Sequence, residues 1–389
     1  MLIVTALLFT FLFNISCTAE NQEQLLTGAE QPEAYLPLIK GKRVGLVVNH
    51  TSTTGDLHLI DFLRERDINI VKILAPEHGF RGTALEGELI EDGMDKKTGI
   101  PVISLYGKNR KPTPEHLADV DIIIFDIQDV GARFYTYIST MHLVMEACAE
   151  SNKKMIVFDR PNPNGDYIDG PILDPKYQSF VGMHPIPVVH GCTIGELASM
   201  INEEQWLSNN EKCDLTVIPV KNYNHNTKYS IPVPPSPNLP NDLAIRLYPS
   251  LCFFEATSVS VGRGTEFPFQ VLGGLRPELG DFTFIPESTP NSPIKPLNEG
   301  KVCYGIDLRK IDEPPTFTLK YFLDFYNKYP DEKEFLIREN WLNTLAGTNK
   351  LLDQIRQGLT ESEIKASWQH DLDNYRELRK KYLLYPDFN

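Results

Sequence analysis

The sequence lacks the motifs that mark several common kinds of site. No GxGxxG follows the first predicted strand, where residues 49–55 read NHTSTTG, and GxxxxGK[ST], GxSxG and HExxH do not occur. These absences give no support to a dinucleotide site, a phosphate-binding loop, a serine nucleophile elbow or a zinc-protease helix. We therefore expect no cofactor and no metal.

Cysteine is scarce and widely spaced. Of the six cysteines, Cys17 belongs to the N-terminal leader, and the other five, at 148, 192, 213, 252 and 303, show no CxxC spacing. A zinc site or a disulfide framework requires regularly spaced cysteines, so the sequence supports neither.

Basic residues are in the minority. The chain has 38 Lys plus Arg against 52 Asp plus Glu, a net charge of -14. This charge repels phosphate backbones, and no basic stripe offsets the repulsion, so nucleic acid is not an expected partner.

Long apolar runs are also missing after the leader. Residues 2–13 form an uncharged apolar run that has the length of a signal-peptide core and is too short to cross a bilayer. Cys17 directly after Ser16 predicts a lipoprotein-type signal of residues 1–17, with simple cleavage as the alternative. We expect an exported protein, periplasmic or held to a bacterial membrane by a lipid on Cys17, with no transmembrane span.

The remaining chain alternates strand-like and helix-like segments. Continuous apolar runs predict buried strands, whereas LHLIDFLRER and YISTMHLVMEACAESNKK have helical spacing. This alternation predicts an α/β fold with a Rossmann-like, doubly wound parallel sheet. The predicted strands are VGLVVN (44–49), INIVKILA (68–75), DIIIFDIQ (121–128), KMIVFD (154–159) and IPVVH (186–190).

A proline-dense segment, PVPPSPNLPND at 232–242, interrupts this alternation. Proline can continue neither a helix nor a central strand, so we place the domain boundary here. Residues 24–231 are then a Rossmann-like domain. Residues 232–389, with short strand-like pieces followed by three helical patterns, are a smaller α+β domain.

Polar side chains follow each predicted strand, where open parallel sheets bind their ligands. Such a ring either serves a ligand or pairs with itself. Its members are Asn49, His50, Thr51, Glu77, His78, Arg81, Asp126, Gln128, Asp129, Arg133, Asp159, Arg160, Asn162 and His190.

Carboxylates with arginine and aromatic neighbours suit glycoside hydrolysis, in which one acid protonates the leaving oxygen and a second group assists at the sugar. Glu77, fixed between Pro76 and Gly79, is the candidate acid, although a salt bridge to Arg81 would also explain it. The second group is open among Asp126, Asp129 and Glu86. Tyr135 and Tyr137 can stack on a sugar ring, although aromatic residues that enter a helix more often belong to the core.

Seven motifs follow one another along the chain: PEHGFRG (76–82), DIQDVGARFYTY (126–137), FDRPNPNG (158–165), HGCTIGELA (190–198), PSPNLP (235–240), GRGTEFPF (262–269) and the closing SWQHDLDNYRELRKKYLLY. Together they resemble the NamZ family of exo-β-N-acetylmuramidases, and the resemblance runs from about Leu36 to Tyr385. The resemblance implies a cleft between two domains and release of N-acetylmuramic acid (MurNAc) from non-reducing ends of peptidoglycan fragments such as MurNAc-GlcNAc. The family more often has Asp and Arg after the threonine of GRGT, so Glu266 and Phe267 depart from it.

The resemblance also implies roles for individual residues. Glu77 becomes the catalytic acid, most of the polar ring lines the sugar site, and the C-terminal domain contributes Arg263, Gly264 and Thr265. Because muramic acid carries a lactyl carboxylate, arginines at 81, 133, 160 and 263 offer a specificity contact. Two alternatives remain, a non-catalytic muropeptide receptor and a hydrolase of the peptide part of peptidoglycan.

Overall fold

A computed structural model describes residues 24–77, 79–80, 92–107, 109–288 and 295–388. The leader with Cys17, and the candidate site residues His78, Arg81 and Glu86, lie outside the described residues. The described helices include none that is both long and apolar enough to cross a membrane.

A seven-stranded sheet forms the centre of the N-terminal part. Its spatial order is β5-β6-β4-β1-β7-β8-β9, in which only β5 runs antiparallel to its neighbour, while β2 and β3 form a separate hairpin. The strands of the described chain up to residue 218 are β1 (Val44–Val48), β2 (Thr53–Thr54), β3 (Leu57–His58), β4 (Ile70–Ala75), β5 (Gly93–Met94), β6 (Pro101–Ser104), β7 (Ile122–Asp126), β8 (Lys154–Phe158) and β9 (Asp214–Ile218).

Helices cover both faces of this sheet. Within β7, Ile122 and Ile124 join the core under α1 and α2, whereas Ile123 and Phe125 join the core under α4 and α5, because successive strand residues point to opposite faces. This confirms the doubly wound α/β fold. The helices here are α1 (Pro32–Ile39), α2 (Leu59–Arg64), α3 (Pro114–Leu117), α4 (Tyr137–Glu150) and α5 (Ile194–Glu203).

Four predicted strands are confirmed, and the fifth is wrong. IPVVH at 186–190 forms only isolated bridges, through Val189 to Ala132 and Asp169. Its apolar side chains are buried inside a loop, and continuous apolarity signals burial rather than strand pairing. The next parallel strand is instead β9, an edge strand whose alternating exposure gave no continuous apolar run.

The smaller C-terminal part combines a three-stranded antiparallel sheet with seven helices among its described residues. Its strands are β10 (Val271–Gly274), β11 (Phe282–Phe284) and β12 (Cys303–Asp307), in the order β10-β12-β11. Its helices are α6 (Asp242–Leu251), α7 (Lys320–Tyr326), α8 (Glu332–Phe335), α9 (Glu339–Ala346), α10 (Lys350–Arg356), α11 (Glu361–Ser367) and α12 (Gln369–Arg379).

The two parts share one hydrophobic core. The Phe134 ring of the N-terminal part lies 5.3 Å from that of Tyr248 and 6.0 Å from that of Phe253, both measured between ring centroids. Arg133 adds a polar link, since its guanidinium donates to the carbonyls of Pro171, Ile186, Leu345 and Ala346. The boundary at residue 232 stays a prediction.

The end of the described chain also packs on the N-terminal part. Residues 384–388 lie beyond β8 and β9, where the Tyr385 hydroxyl donates to Asp159 Oδ2 at 2.5 Å and accepts from the Val220 backbone at 2.7 Å. Two further bonds join Leu384 to Glu196 and His225 to Pro386. This segment therefore fills space that parallel sheets often leave to a ligand.

Candidate active site

A cavity of about 400 Å³ opens between the two parts, beside the loop that follows β4. The strand order reverses between β1 and β7, and such a reversal leaves a crevice beyond the strand ends. The cavity volume falls in the range of small-ligand sites, about 300–1,000 Å³. Its chemically relevant lining residues are Glu77, Tyr106, Arg110, Tyr135, Thr136, Tyr137, Glu255, Arg263 and Trp341.

Glu77 enters this cavity on a firmly held backbone. The Asn49 side chain donates to the Tyr137 hydroxyl at 2.9 Å, and that hydroxyl donates to the Glu77 carbonyl at 3.1 Å. Thr136 Oγ1, at the start of α4, donates to Glu77 Oε2 at 3.1 Å. Burial, together with the nearby Glu77 charge, raises the pKa of Tyr106 to about 12. Predicted residues Asn49 and Glu77 thus belong to one assembly, in which Asn49 acts through Tyr137.

Arg263 and Glu255 form the C-terminal wall. Arg263 Nη2 lies 2.5 Å from Glu255 Oε1, and the two side chains are 25% and 19% exposed. Burial raises the pKa of Glu255 to about 7, with a smaller contribution from the charge of Glu77, while the Trp341 indole and the charge of Arg338 oppose this rise. Arg263 was predicted from the sequence, but Glu255 was not.

Two further lining residues escaped the sequence analysis. Arg110 is exposed at the rim, with its guanidinium carbon 4.2 Å from the centroid of the Phe180 ring. The Trp341 indole lies on the opposite wall. No sequence motif marked either residue. Arg110 follows β6, a strand that the sequence did not predict, and Trp341 lies on α9 of the C-terminal part.

Tyr135, a candidate sugar-binding residue, lines the cavity, and its hydroxyl donates to the Pro235 carbonyl at 2.9 Å. Thr265 lines an adjoining cavity, where its hydroxyl donates to the Gly262 carbonyl at 2.6 Å and closes the GRGT turn. Gly264 in this turn has a φ of 80°, and a Cβ there would meet Pro296 Cγ at 2.7 Å. The motif therefore shapes the wall behind Arg263.

Asp126 and Arg160 lie beneath the site and pair with each other. Arg160 Nε and Nη2 donate to the two Asp126 carboxylate oxygens at 2.6 and 2.9 Å, and both side chains are fully or almost fully buried. Arg160 also donates to the Thr53 carbonyl at 3.0 Å, which ties down the β2–β3 hairpin. Neither residue lines the cavity, so their geometry supports a structural role.

Four other members of the predicted ring are also buried in the interior. Asp159 accepts from Thr193, Gly195 and Tyr385, and caps α5. Asn162 donates to the Cys192 carbonyl, and Gln128 donates to the carbonyls of Asp129 and Pro161. Burial, with nearby arginine charges, lowers the pKa of His190 to about 3. None of the four lines the cavity.

Arg133 does not reach the cavity either. Its guanidinium is buried against four backbone carbonyls, and burial lowers its pKa to about 9. Among the described residues, Arg133 forms no ion pair with Asp129. Arg133 therefore holds the two domains at a fixed distance.

Asp129 is buried next to the cavity. Its Oδ1 accepts from the Gly131 backbone at 2.8 Å, its Oδ2 has no hydrogen-bond partner among the described residues, and burial raises its pKa to about 7. Gly131, at a φ of 79°, permits this turn, since a Cβ would lie 2.1 Å from Asn162 Oδ1.

We expect Asp129→Asn to stabilise the protein at high pH. The folded pKa of about 7 exceeds the unfolded value of about 3.9, so the stability contribution of Asp129 is present below pH 4 and lost as the pH rises through 7. The gain of the variant in unfolding free energy should be near zero at pH 4 and about 1–4 kcal/mol at pH 8. Urea denaturation at both values measures it. Loss of activity by about 100-fold or more would instead make Asp129 the second catalytic group.

The fold and the cavity define a two-domain α/β protein with a carboxylate-lined cleft, as in a glycoside hydrolase. Models of the exo-beta-N-acetylmuramidase NamZ N-terminal and C-terminal domains match residues 44–243 and 246–385. The chain belongs to the NamZ family and is a glycoside hydrolase. The peptidoglycan beta-N-acetylmuramidase NamZ of Bacillus subtilis (strain 168) is 40% identical over 374 residues, which cover 90% of this chain and 89% of that protein.

Two crystal structures of DUF1343 family proteins from Bacteroides fragilis have the same fold. The first is 46% identical, with a TM-score of 0.86 over 94% of this chain and 99% of its own. The second is 32% identical, with a TM-score of 0.80 over 93% of this chain and 99% of its own. The predicted two-domain architecture is thereby confirmed.

Proposed function

We propose that this protein is an exo-acting β-N-acetylmuramidase that removes MurNAc from the non-reducing ends of peptidoglycan fragments such as MurNAc-GlcNAc, with Glu77 as the general acid. The observation that carries the proposal is the position of Glu77, which is held by Thr136 and Tyr137 at the wall of an interdomain cavity of about 400 Å³. The activity in the name of the Bacillus subtilis relative supports the same reaction.

The cavity also offers groups that suit the terminal sugar. The Tyr135 ring and the Trp341 indole provide aromatic surface for a sugar ring. Arg110 forms no ion pair with any described residue, and its guanidinium at the rim can bind the lactyl carboxylate of muramic acid. Arg263 is less available, because it already pairs with Glu255.

Export belongs to the same proposal. A signal of residues 1–17 with lipid attached at Cys17 would place the enzyme where peptidoglycan lies, in the periplasm or at a membrane surface. The enzyme would then act on fragments within reach of its anchor.

Incubation of the purified protein with MurNAc-GlcNAc tests the activity. We expect free MurNAc and GlcNAc in equal amounts, measured by chromatography over time. GlcNAc-MurNAc, which has the other sugar at its non-reducing end, is the control and should remain intact. Binding of MurNAc-GlcNAc without any release would instead identify a receptor.

A further inference from the structure

A second carboxylate reaches the cavity from the C-terminal domain. Glu255 lies on a short 3-10 turn, Cys252–Ala256, that directly follows α6. It lines the same cavity as Glu77, and the charge of Glu77 contributes to the raised pKa of Glu255. The two carboxylates therefore lie within electrostatic reach of each other on opposite domains.

Contacts on both sides fix the position of Glu255. Its carboxylate pairs with Arg263 at 2.5 Å, and its backbone carbonyl accepts a hydrogen bond from the Arg338 guanidinium. The Trp341 indole adds a favourable interaction with the carboxylate, although its N–H makes no hydrogen bond of ordinary geometry. A carboxylate held in this way is preorganised, as a group that acts on a bound sugar must be.

Glu255 also stands where two cavities meet. A second cavity, of about 490 Å³, shares Asn238, Glu255, Arg263 and Trp341 with the first, whereas Glu77 lines the first alone. Leu297 and Ile337, which are 40% and 50% exposed, line this second cavity. With the terminal sugar in the first cavity and the rest of the fragment in the second, the bond that joins them passes Glu255.

The two carboxylates differ in their direct contacts, and the charge of Arg263 reaches both. Glu77 meets the hydroxyl groups of Thr136 and Tyr106, which accommodate a carboxyl group in either protonation state. Burial raises the pKa of Glu255 to about 7, so both forms are present at neutral pH, and the Arg263 guanidinium at 2.5 Å favours the ionised one. An ionised carboxylate can take a proton from water or attack carbon, and it cannot donate a proton.

We propose that Glu255 is the second catalytic carboxylate and acts at the anomeric carbon of MurNAc while Glu77 protonates the leaving oxygen. The inference rests on the proposed function. In the net reaction the C1–O bond to GlcNAc breaks and the leaving oxygen takes the proton of Glu77. In one route the oxygen of water bonds directly to C1 while its proton passes to Glu255, and proton exchange with solvent restores both groups. In the other route Glu255 first bonds to C1, and water then displaces it while the proton of that water returns to Glu77.

Glu255→Gln tests this role with two substrates, MurNAc-GlcNAc and p-nitrophenyl β-MurNAc. We expect kcat/KM to fall about 100- to 10,000-fold on both substrates. The p-nitrophenolate group leaves without help from an acid, but the reaction at C1 still needs the second carboxylate. Added azide should restore part of the activity on the aryl substrate and give a MurNAc azide. Glu278→Gln, whose side chain is 67% exposed, is the matched control and should behave as the unmodified protein.

Three results would overturn the inference. They are a Glu255→Gln variant with nearly unchanged activity, a variant that fails on MurNAc-GlcNAc but cleaves the aryl substrate normally, and an inactive folded variant that azide leaves inactive. If Glu255→Gln does not fold by thermal melting, Glu255→Asp keeps the charge, and the shift of its carboxylate by about 1 Å should still cost about 100-fold. Failure of the unmodified protein to release MurNAc would defeat the proposed function itself, which separates the two outcomes.

Discussion

Glu77→Gln is expected to reduce the rate of MurNAc release from MurNAc-GlcNAc by about 100- to 10,000-fold, the usual contribution of a general acid. Glutamine keeps the size of the side chain and can accept the Thr136 hydrogen bond, but it has no proton to donate to the leaving oxygen. The loss should therefore appear in kcat rather than in substrate affinity. Initial rates over a range of substrate concentrations separate the two.

The leaving group provides the decisive comparison for Glu77. With p-nitrophenyl β-MurNAc, whose leaving group needs no protonation, the variant should recover most of its rate. Glu65→Gln, at a side chain 61% exposed on the surface, controls for the substitution itself. Equal losses on both substrates would mean that Glu77 does not protonate the leaving oxygen, and full activity would make its loop a substrate-positioning element.

Breaking the Asp126–Arg160 pair should have the largest effect on stability. Asp126→Leu leaves the Arg160 guanidinium buried without its carboxylate, and Arg160→Met leaves the Asp126 charge unpaired. Removing one partner of a buried ion pair costs about 3–5 kcal/mol. The double variant should lose less than the sum of the two, because it leaves no unpaired charge.

Urea unfolding of the two single variants and the double variant gives these free energies. A catalytic Asp126 would show the opposite pattern, with stability preserved in a variant such as Asp126→Asn and activity lost. Additive losses in the double variant would mean that the two side chains contribute independently.

The sequence predicted the sheet where apolar runs are continuous. Strands such as β1 and β7 are buried along their whole length, and this burial is visible in their composition. The strand prediction failed at IPVVH because a buried loop has the same apolar composition as a buried strand. It also missed β9, because an edge strand alternates in exposure.

The candidate site was predictable in part for a related reason. Residues after strand ends converge in any parallel sheet, so Glu77 and Asp126 are both placed near the crevice by topology. Which of the two carboxylates can contact a ligand depends on its partners inside the protein. Asp126 forms a buried ion pair with Arg160, whereas Glu77 accepts a hydrogen bond from Thr136 and stays at the cavity wall. The sequence analysis missed Glu255 because this residue belongs to the other domain. The periodicity of apolar residues predicts helices and strands, but it does not predict how two domains pack against each other.

Residues 384–388 contact Asp159 and its neighbours, which lie far from them in the sequence and are synthesised much earlier. The hydrogen bond from Tyr385 to Asp159 spans 226 positions. Contacts of such separation slow folding, because the loop must close before they form. The N-terminal sheet thus reaches its final packing only after the last helix has been made, and we expect both domains to fold as one cooperative unit.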